Sequence, residues 1–264
     1  MTDRDAASLV RYEVARGVAR ITLNRPERAN ALTWDMIGLL RVHVAAAKAD
    51  GAVRVVVLAG AGEKAFCAGA DLGGMAEGAS SLDLHDGRGR LAGLFEDLYA
   101  LGKPTIAQVH GWCLAGGFGL ALSCDLVVAA DTARFGCPEV DIGLWPFMIT
   151  VPLVRSMPPK KALDLMLTGR RIDAAEADRL GFISRLVPAS DLEAAVDELA
   201  ATLVAKPPAA VRIGRDSFYR VLDQSAPDAL ATLHPLLSVL ASTDDAAEGI
   251  AAFAEKRAPR WTNR

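Results

Sequence analysis

The chain has 264 residues, 52% hydrophobic and 23% charged, with a formal net charge of −3. That balance fits a soluble globular protein with one sizeable core, alone or with a helical appendage. The slight acidity, with no basic stripe interleaved with aromatics, argues against nucleic acid as a partner, and no apolar run reaches membrane-spanning length.

Met1-Thr2-Asp3-Arg4-Asp5 is charged and leads no apolar stretch, so it is not read as a secretory leader. Residues 12–24 form a predicted hairpin, Tyr12–Ala15 and Val18–Leu23 around Arg16-Gly17, ended by Asn24-Arg25-Pro26. Thr33 caps a predicted helix over 34–48, with Met36, Ile37, Leu40 and Val44 on one face. Residues 54–58 are β-branched and almost wholly apolar, as in a strand buried on both faces. Residues 73–90, rich in Gly, Ser, Asp and Arg, read as a mobile loop before a helix at about 91–101. A strand at 104–110 enters a glycine-rich turn, a helix at 116–123 leaves it, and 125–130 is another buried strand. After about residue 157 helices dominate: 159–167, 173–179, 190–205, 208–222 and 227–256, with one short strand at 183–187. The prediction is an α/β core over 1–190 and a helical C-terminal region over 191–264 that covers the site or an interface between copies.

Cys67, Cys113, Cys124 and Cys137 form no CxxC pair. Zinc and a disulfide framework are therefore not expected, and the thiols suit a reducing cytoplasm as small buried core residues. Two turns carry the chemistry. Ala68-Gly69-Ala70-Asp71 and Ala115-Gly116-Gly117 each follow a strand and open a helix. Unpaired N–H groups at such places bind negative charge. If the two converge they make a two-donor oxyanion hole; taken singly, each is a tight turn that needs glycine. Two other motifs are weaker. Gly60-Ala61-Gly62-Glu63-Lys64-Ala65 matches GxGxxA after a strand, but further glycines interrupt the helix that should follow. Ser123, His110 and Asp125 are close in sequence but lie in no GxSxG elbow.

The chain resembles the crotonase (enoyl-CoA hydratase/isomerase) superfamily over nearly its whole length. The matching stretches, in order, are Leu23-Asn24-Arg25-Pro26 with Asn30-Ala31-Leu32, Phe66 to Leu72, His110 to Asp125, Phe135 to Val140, Leu167-Thr168-Gly169 with Ala175-Glu176-Ala177, Gly181-Phe182-Ile183, and Glu248 to Arg257. The resemblance implies a ββα spiral core and an acyl-CoA substrate. It also implies that the backbone N–H groups of Ala70 and Gly116 hold the thioester oxygen. Arg28, Ala29, Ala68, Asp71 and Leu72 match positions along the CoA path, and Lys256 matches a lysine that reaches CoA phosphate, often from a neighbouring subunit. No metal or redox cofactor is implied, because CoA is part of the substrate, and the expected assembly is a homotrimer or a dimer of trimers.

Glu139 is the acid/base candidate, with Trp145-Pro146-Phe147 as walls that raise its pKa. Trp112, Trp145 and Phe147, with Gly119, are expected to shape the acyl pocket. Hydratases of the family carry a catalytic glutamate where this chain has Gly119. Hydration wants two carboxylates around one water, whereas a double-bond shift needs one. The expected chemistry is therefore an isomerase-type proton shuttle, with hydration, or acyl-CoA binding without turnover, as alternatives. Phe147, eight residues beyond Glu139, is not acidic, which argues against the family's dienoyl isomerases. Asp141, two residues from Glu139 in a segment read as extended, either shares the site or makes a structural salt bridge. A glutamate restored at 119 is expected to raise hydration.

Overall fold

The computed structural model describes residues 9–73 and 80–262. β1 (Val10–Ala15) and β2 (Val18–Leu23) form the predicted hairpin, its turn made by Arg16 and Gly17 at φ 51° and 80°, the doubly left-handed geometry that matches strand twist. β2 continues in parallel to β3 (Val55–Gly60), β5 (Thr105–Val109), β7 (Leu126–Ala130) and β10 (Arg185–Val187), giving the order β1-β2-β3-β5-β7-β10. A second sheet has the order β4-β6-β8-β9: β4 (Ala65–Cys67), β6 (Trp112–Leu114) and β8 (Arg134–Gly136) run parallel, and β9 (Arg171–Asp173) closes it antiparallel. β3, β5 and β7 each pass straight into a strand of the second sheet and then a helical segment, which is the ββα spiral expected from the resemblance.

The strand predicted at 104–110 does not enter the glycine turn. It ends at Val109, the chain bends at Gly111 (φ 53°), and the separate strand β6 leads into the turn. Gly111 must be glycine, since a Cβ there would stand 2.2 Å from the Lys64 carbonyl oxygen.

The central strands β3, β5 and β7 are buried on both faces, which explains their nearly continuous apolar sequences. On one side Val56, Leu58, Ala107, Val109, Val127 and Ala129 join the main core with α1 (Trp34–Ala49) and α2 (Ser81–Tyr99). On the other, Val55, Val57, Ile106, Val128 and Ala130 meet Leu192, Val196, Leu199 and Ala200 of α7 (Leu192–Val204). The first helix of region 191–264 is thus a layer of the core. Between α2 and α7 come α3 (Gly116–Leu122), α4 (Phe147–Ser156), α5 (Pro159–Thr168) and α6 (Ala174–Arg179).

Two further sequence expectations need correction. Of the loop read at 73–90, residues 74–79 lie outside the described residues, but from Ser81 the chain is helical. Ser80 and Asp83 make a reciprocal capping box. Gly87, which reads as a loop residue, lies against Trp34, whose Cε2 is 2.7 Å from where a Cβ would stand; its glycine serves a close helix contact. The single helix expected over 227–256 is two, α9 (Ala226–Ala241) and α10 (Asp244–Glu255), following α8 (Pro208–Val221). The break falls at Thr243, whose side chain accepts from the Ala246 N–H and starts a new helix.

Candidate active site

Three parallel neighbours, β4, β6 and β8, end at the same edge of the second sheet. Cys67 pairs with Cys113, and Leu114 with Gly136. The segments leaving those ends carry Ala70, Gly116 and Glu139, and the carboxyl ends of parallel strands are where ligands bind in such sheets. The Ala115 N–H donates to the Gly136 carbonyl (2.9 Å), tying the turn after β6 to the segment that leads to Glu139.

The two glycine turns converge. A Cβ on Gly69 (φ 103°) would stand 2.7 Å from the Ala115 Cβ and 3.6 Å from the Gly116 nitrogen. Ala115 itself holds φ 50°, ψ −128°, a conformation costing roughly 1–3 kcal/mol that surrounding structure must enforce. On the other side, Leu32 bridges Ala70 in parallel: the Leu32 N–H donates to the Gly69 carbonyl (2.7 Å) and the Asp71 N–H to the Leu32 carbonyl (2.8 Å). That pattern turns the Ala70 N–H away from Leu32. Gly116 is the first residue of α3, so its N–H has no acceptor within the helix.

Beneath the first turn lies Asn30, fully buried at φ 54°. Its side chain accepts from the Arg25 N–H (2.9 Å) and donates to the carbonyls of Ala61 (2.9 Å) and Ala65 (2.8 Å). The Ala68 N–H donates to the Ala29 carbonyl (3.0 Å), and Arg25 Nη1 meets Asp71 Oδ2 at 2.9 Å. Asp71 is thereby engaged in holding the turn.

Glu139 lies in the 3-10 turn Pro138–Ile142. Its Oε2 is buried without a hydrogen bond, and burial pushes its pKa above the ordinary 4.5, opposed in part by its own backbone N–H. Asp141 departs from the extended geometry assumed for it. In a 3-10 turn residues two apart diverge, and Asp141 faces Gly169 and Arg171, whose Nη1 is 3.8 Å from Oδ2. It makes the structural pair.

Gly119 sits on α3 where α4 packs against it. A Cβ there would meet Ile149 Cγ2 at 2.3 Å, Ile149 Cβ at 2.8 Å and Phe95 Cζ at 3.0 Å. Sequence reasoning missed Ile149 and Phe95. Each reads as an ordinary apolar helix residue, and only the tertiary contact singles it out.

The remaining expected residues scatter. Ala29, Ala68 and Asp71 are partly buried beside the first turn, while Arg28 and Leu72 are exposed. Trp112 opens β6, at the end away from the Ala115 turn, and is 37% exposed. Trp145 packs against the core, and Phe147, the first residue of α4, is 71% exposed. Lys256 is an exposed helix cap at φ 56°.

The hydrolase constellation is not assembled. Ser123 Oγ donates to the Gly119 carbonyl in its own helix (2.8 Å), and Asp125 binds Arg215 and Tyr219. Nor does a helix follow Gly60-Ala61-Gly62; the chain goes to β4. The four cysteines are buried, and burial lifts Cys67 to about 12, so these thiols are inert at neutral pH. Among the described residues no His/Cys/Asp/Glu group could hold a metal ion, and no helix is long and apolar enough to cross a membrane. Two cavities of about 250 and 370 Å³ lie elsewhere, against α8, and none of Ala70, Gly116 or Glu139 lines them.

Residues 13–264 match the protein family described as enoyl-CoA hydratase/isomerase. A Mycobacterium bovis protein named "Probable enoyl-CoA hydratase echA8" is 39% identical over 252 residues, 94% of this chain and 95% of the relative. The short-chain-enoyl-CoA hydratase of Clostridium acetobutylicum is 36% identical over 246 residues, 91% of this chain and 92% of the relative. Among solved structures, an enoyl-CoA hydratase of Mycobacterium smegmatis superposes with a TM-score of 0.92 at 35% identity, covering 96% of this chain and 98% of that one.

Proposed function

The chain belongs to the enoyl-CoA hydratase/isomerase family, and within it we propose that it shifts the double bond of an enoyl-CoA, with Glu139 as the only proton carrier. The thioester oxygen sits between the N–H groups of Ala70 and Gly116, where losing one such donor costs roughly 2.7–4 kcal/mol of transition-state stabilisation. Glu139 takes a proton from C2. The C2–H electron pair enters a dienolate whose charge rests on the thioester oxygen. Glu139 returns the proton at C4, and the double bond ends between C2 and C3. No oxidant, water or metal enters this balance.

The observation that carries the proposal is the Glu139 carboxyl, with a buried oxygen that makes no hydrogen bond and a pKa raised by burial. Such a carboxyl keeps its proton to higher pH than a free one and has no other partner to give it to, as suits a proton carrier. Asp71 pairs with Arg25 at 2.9 Å, Asp141 lies toward Gly169 and Arg171, and position 119 is glycine.

The CoA portion runs past Arg28, Ala29, Ala68, Asp71 and Leu72, and Lys256, from the same or a neighbouring chain, meets its phosphates. Leu230, Leu237, Ile250 and Phe253, each at least 68% exposed, supply apolar surface for a homotrimer or a dimer of trimers, and the four buried thiols suit a reducing cytoplasm.

Matched 2-enoyl- and 3-enoyl-CoA, with products identified by mass and retention, test the proposal. Interconversion of the two is expected. Water addition at rates typical of two-glutamate hydratases would establish the second reading, hydration, which the names of the relatives favour. Thermal stabilisation by CoA with no turnover on either substrate would mean an acyl-CoA-binding protein.

A further inference from the structure

Positions 116 and 119 lie three apart on α3 and share a face. Outward from Gly116, an ideal Cβ has Leu91 Cδ2 at 3.6 Å and Leu32 Cδ1 at 3.8 Å; outward from Gly119 stand Ile149 and Phe95. Leu32 is 1% exposed, Leu91 9%, Phe95 4% and Ile149 2%. The helix face beside the proposed oxyanion donor is therefore covered by four apolar side chains, and at Gly119 the contact is tighter than any real Cβ would tolerate. A buried water makes about three hydrogen bonds, and an apolar recess gives it none.

We infer that Ile149, braced by Phe95, determines the reaction's outcome by keeping water and any second acid away from the acyl carbons next to Gly116. This rests on Glu139 being the base. The proton that Glu139 takes from C2 then has no solvent partner on the α3 side and goes back to C4 of the same molecule. Hydration would instead need a water beside C3 to form the C–O bond while C2 gains a proton, and Ile149 and Phe95 occupy the space for it.

The test is a single turnover in D2O with 3-butenoyl-, 3-hexenoyl- and 3-decenoyl-CoA, reading deuterium at C4 and the share of 3-hydroxyacyl-CoA by mass. Wild type is expected to give mostly unlabelled 2-enoyl product and little hydroxyacyl product. Ile149→Ser, which opens the wall and offers water a hydroxyl, is expected to raise both readouts severalfold. Ile149→Val keeps the wall and should match wild type. If Ile149→Ser does not fold, the wild-type label still decides. Complete labelling in wild type, or an Ile149→Ser variant with unchanged label and product ratio, overturns the inference. A Glu139→Gln variant that stays active sinks the proposed mechanism itself. An inactive Glu139→Gln beside fully labelled wild-type product sinks only the role of Ile149. Turnover of none of the three substrates counts against both.

Discussion

Gly119 and Ile149 are locked together: a Cβ at 119 would stand 2.3 Å from Ile149 Cγ2 and 2.8 Å from Ile149 Cβ. The contact fastens α3 to α4 and fills the space that a side chain at 119 would need. Sequence alone suggests that a glutamate restored at 119 raises hydration. The packing stands against that expectation, because Ile149 must shift before the side chain's first atom fits.

Gly119→Glu by itself should therefore destabilise the protein without adding hydration. Overpacking a core typically costs about 1–3 kcal/mol, and each kcal/mol moves the melting temperature of a chain this size by roughly 2–4 °C. Combining it with Ile149→Gly removes the clashing side chain, so the double variant should acquire measurable hydration of a 2-enoyl-CoA, although emptying that buried helix position keeps it well below wild type in stability. A single variant that melts like wild type would show that α4 yields easily.

Glu139→Gln should trade activity for stability. Loss of an acid/base group typically costs about 10²–10⁴ in rate, so double-bond shift should fall by at least about 10²-fold. Because burial raises the pKa of Glu139 in the folded chain, the native state holds more protons than the unfolded one just above the ordinary carboxylate range. Its stabilising share is complete below the unfolded pKa and is lost as pH rises through the folded one. The Gln variant, which does not titrate there, should gain stability over wild type as pH rises from 4 to 7. In wild type the acid limb of kcat/KM should lie above the ordinary 4.5. Melting curves that stay parallel across that range would disprove the assigned ionisation.

Much of the candidate site was legible because it is made of turns. Gly69, Gly116 and Glu139 stand where strands end, and glycine and proline punctuation marks such places. What was hidden depends on contacts between distant segments. Gly87 looks like a loop residue until Trp34 is seen against it, and the sequence leaves Asp141 open between a shared site and a structural salt bridge until the 3-10 turn and Arg171 are seen. β4, β6, β8 and β9 have only three residues each, too few for any periodicity to register. Ile149 had no local signal at all, since apolar helix positions look alike whichever glycine they cover.

Asn30 should prove costlier to lose than its distance from the chemistry suggests. Asn30→Ala removes the partner of the Arg25 N–H and of the carbonyls of Ala61 and Ala65, the last of them in a buried bond, and a buried group left unpaired costs about 1–3 kcal/mol. It also puts alanine at φ 54°, which asparagine tolerates better. A fall of about 3 kcal/mol corresponds to roughly 6–12 °C in melting temperature. Because the cradle holds the Ala68–Asp71 turn, kcat should drop more than KM rises when the surviving folded protein is assayed at low temperature. Unchanged kcat in that folded fraction would limit Asn30 to stability.

Arg215 gives the last test, of how the C-terminal helices are fixed. From α8 its Nε donates to Asp125 Oδ2 (2.7 Å), and its Nη1 and Nη2 donate to the carbonyls of Tyr99 (2.9 Å) and Leu98 (2.7 Å) at the end of α2. The guanidinium lies 5.0 Å from the Tyr219 ring centroid, and the Tyr219 hydroxyl donates to Asp125 Oδ1 at 2.5 Å. Asp125 also accepts from the Thr105 N–H (2.7 Å), so one carboxylate joins α8 to the start of β5. The Arg215 side chain is 7% exposed and that of Asp125 16%, and breaking a buried pair from one side typically costs about 3–5 kcal/mol. Arg215→Ala should lower the melting temperature by roughly 6–20 °C and speed amide exchange across 208–221 first. Arg215→Lys should restore little, because an ammonium cannot reproduce a fork that reaches three acceptors. Combined with Tyr219→Phe, the losses should be less than additive, since both side chains serve the same carboxylate. Fully additive losses would mean that Arg215 and Tyr219 hold α8 independently.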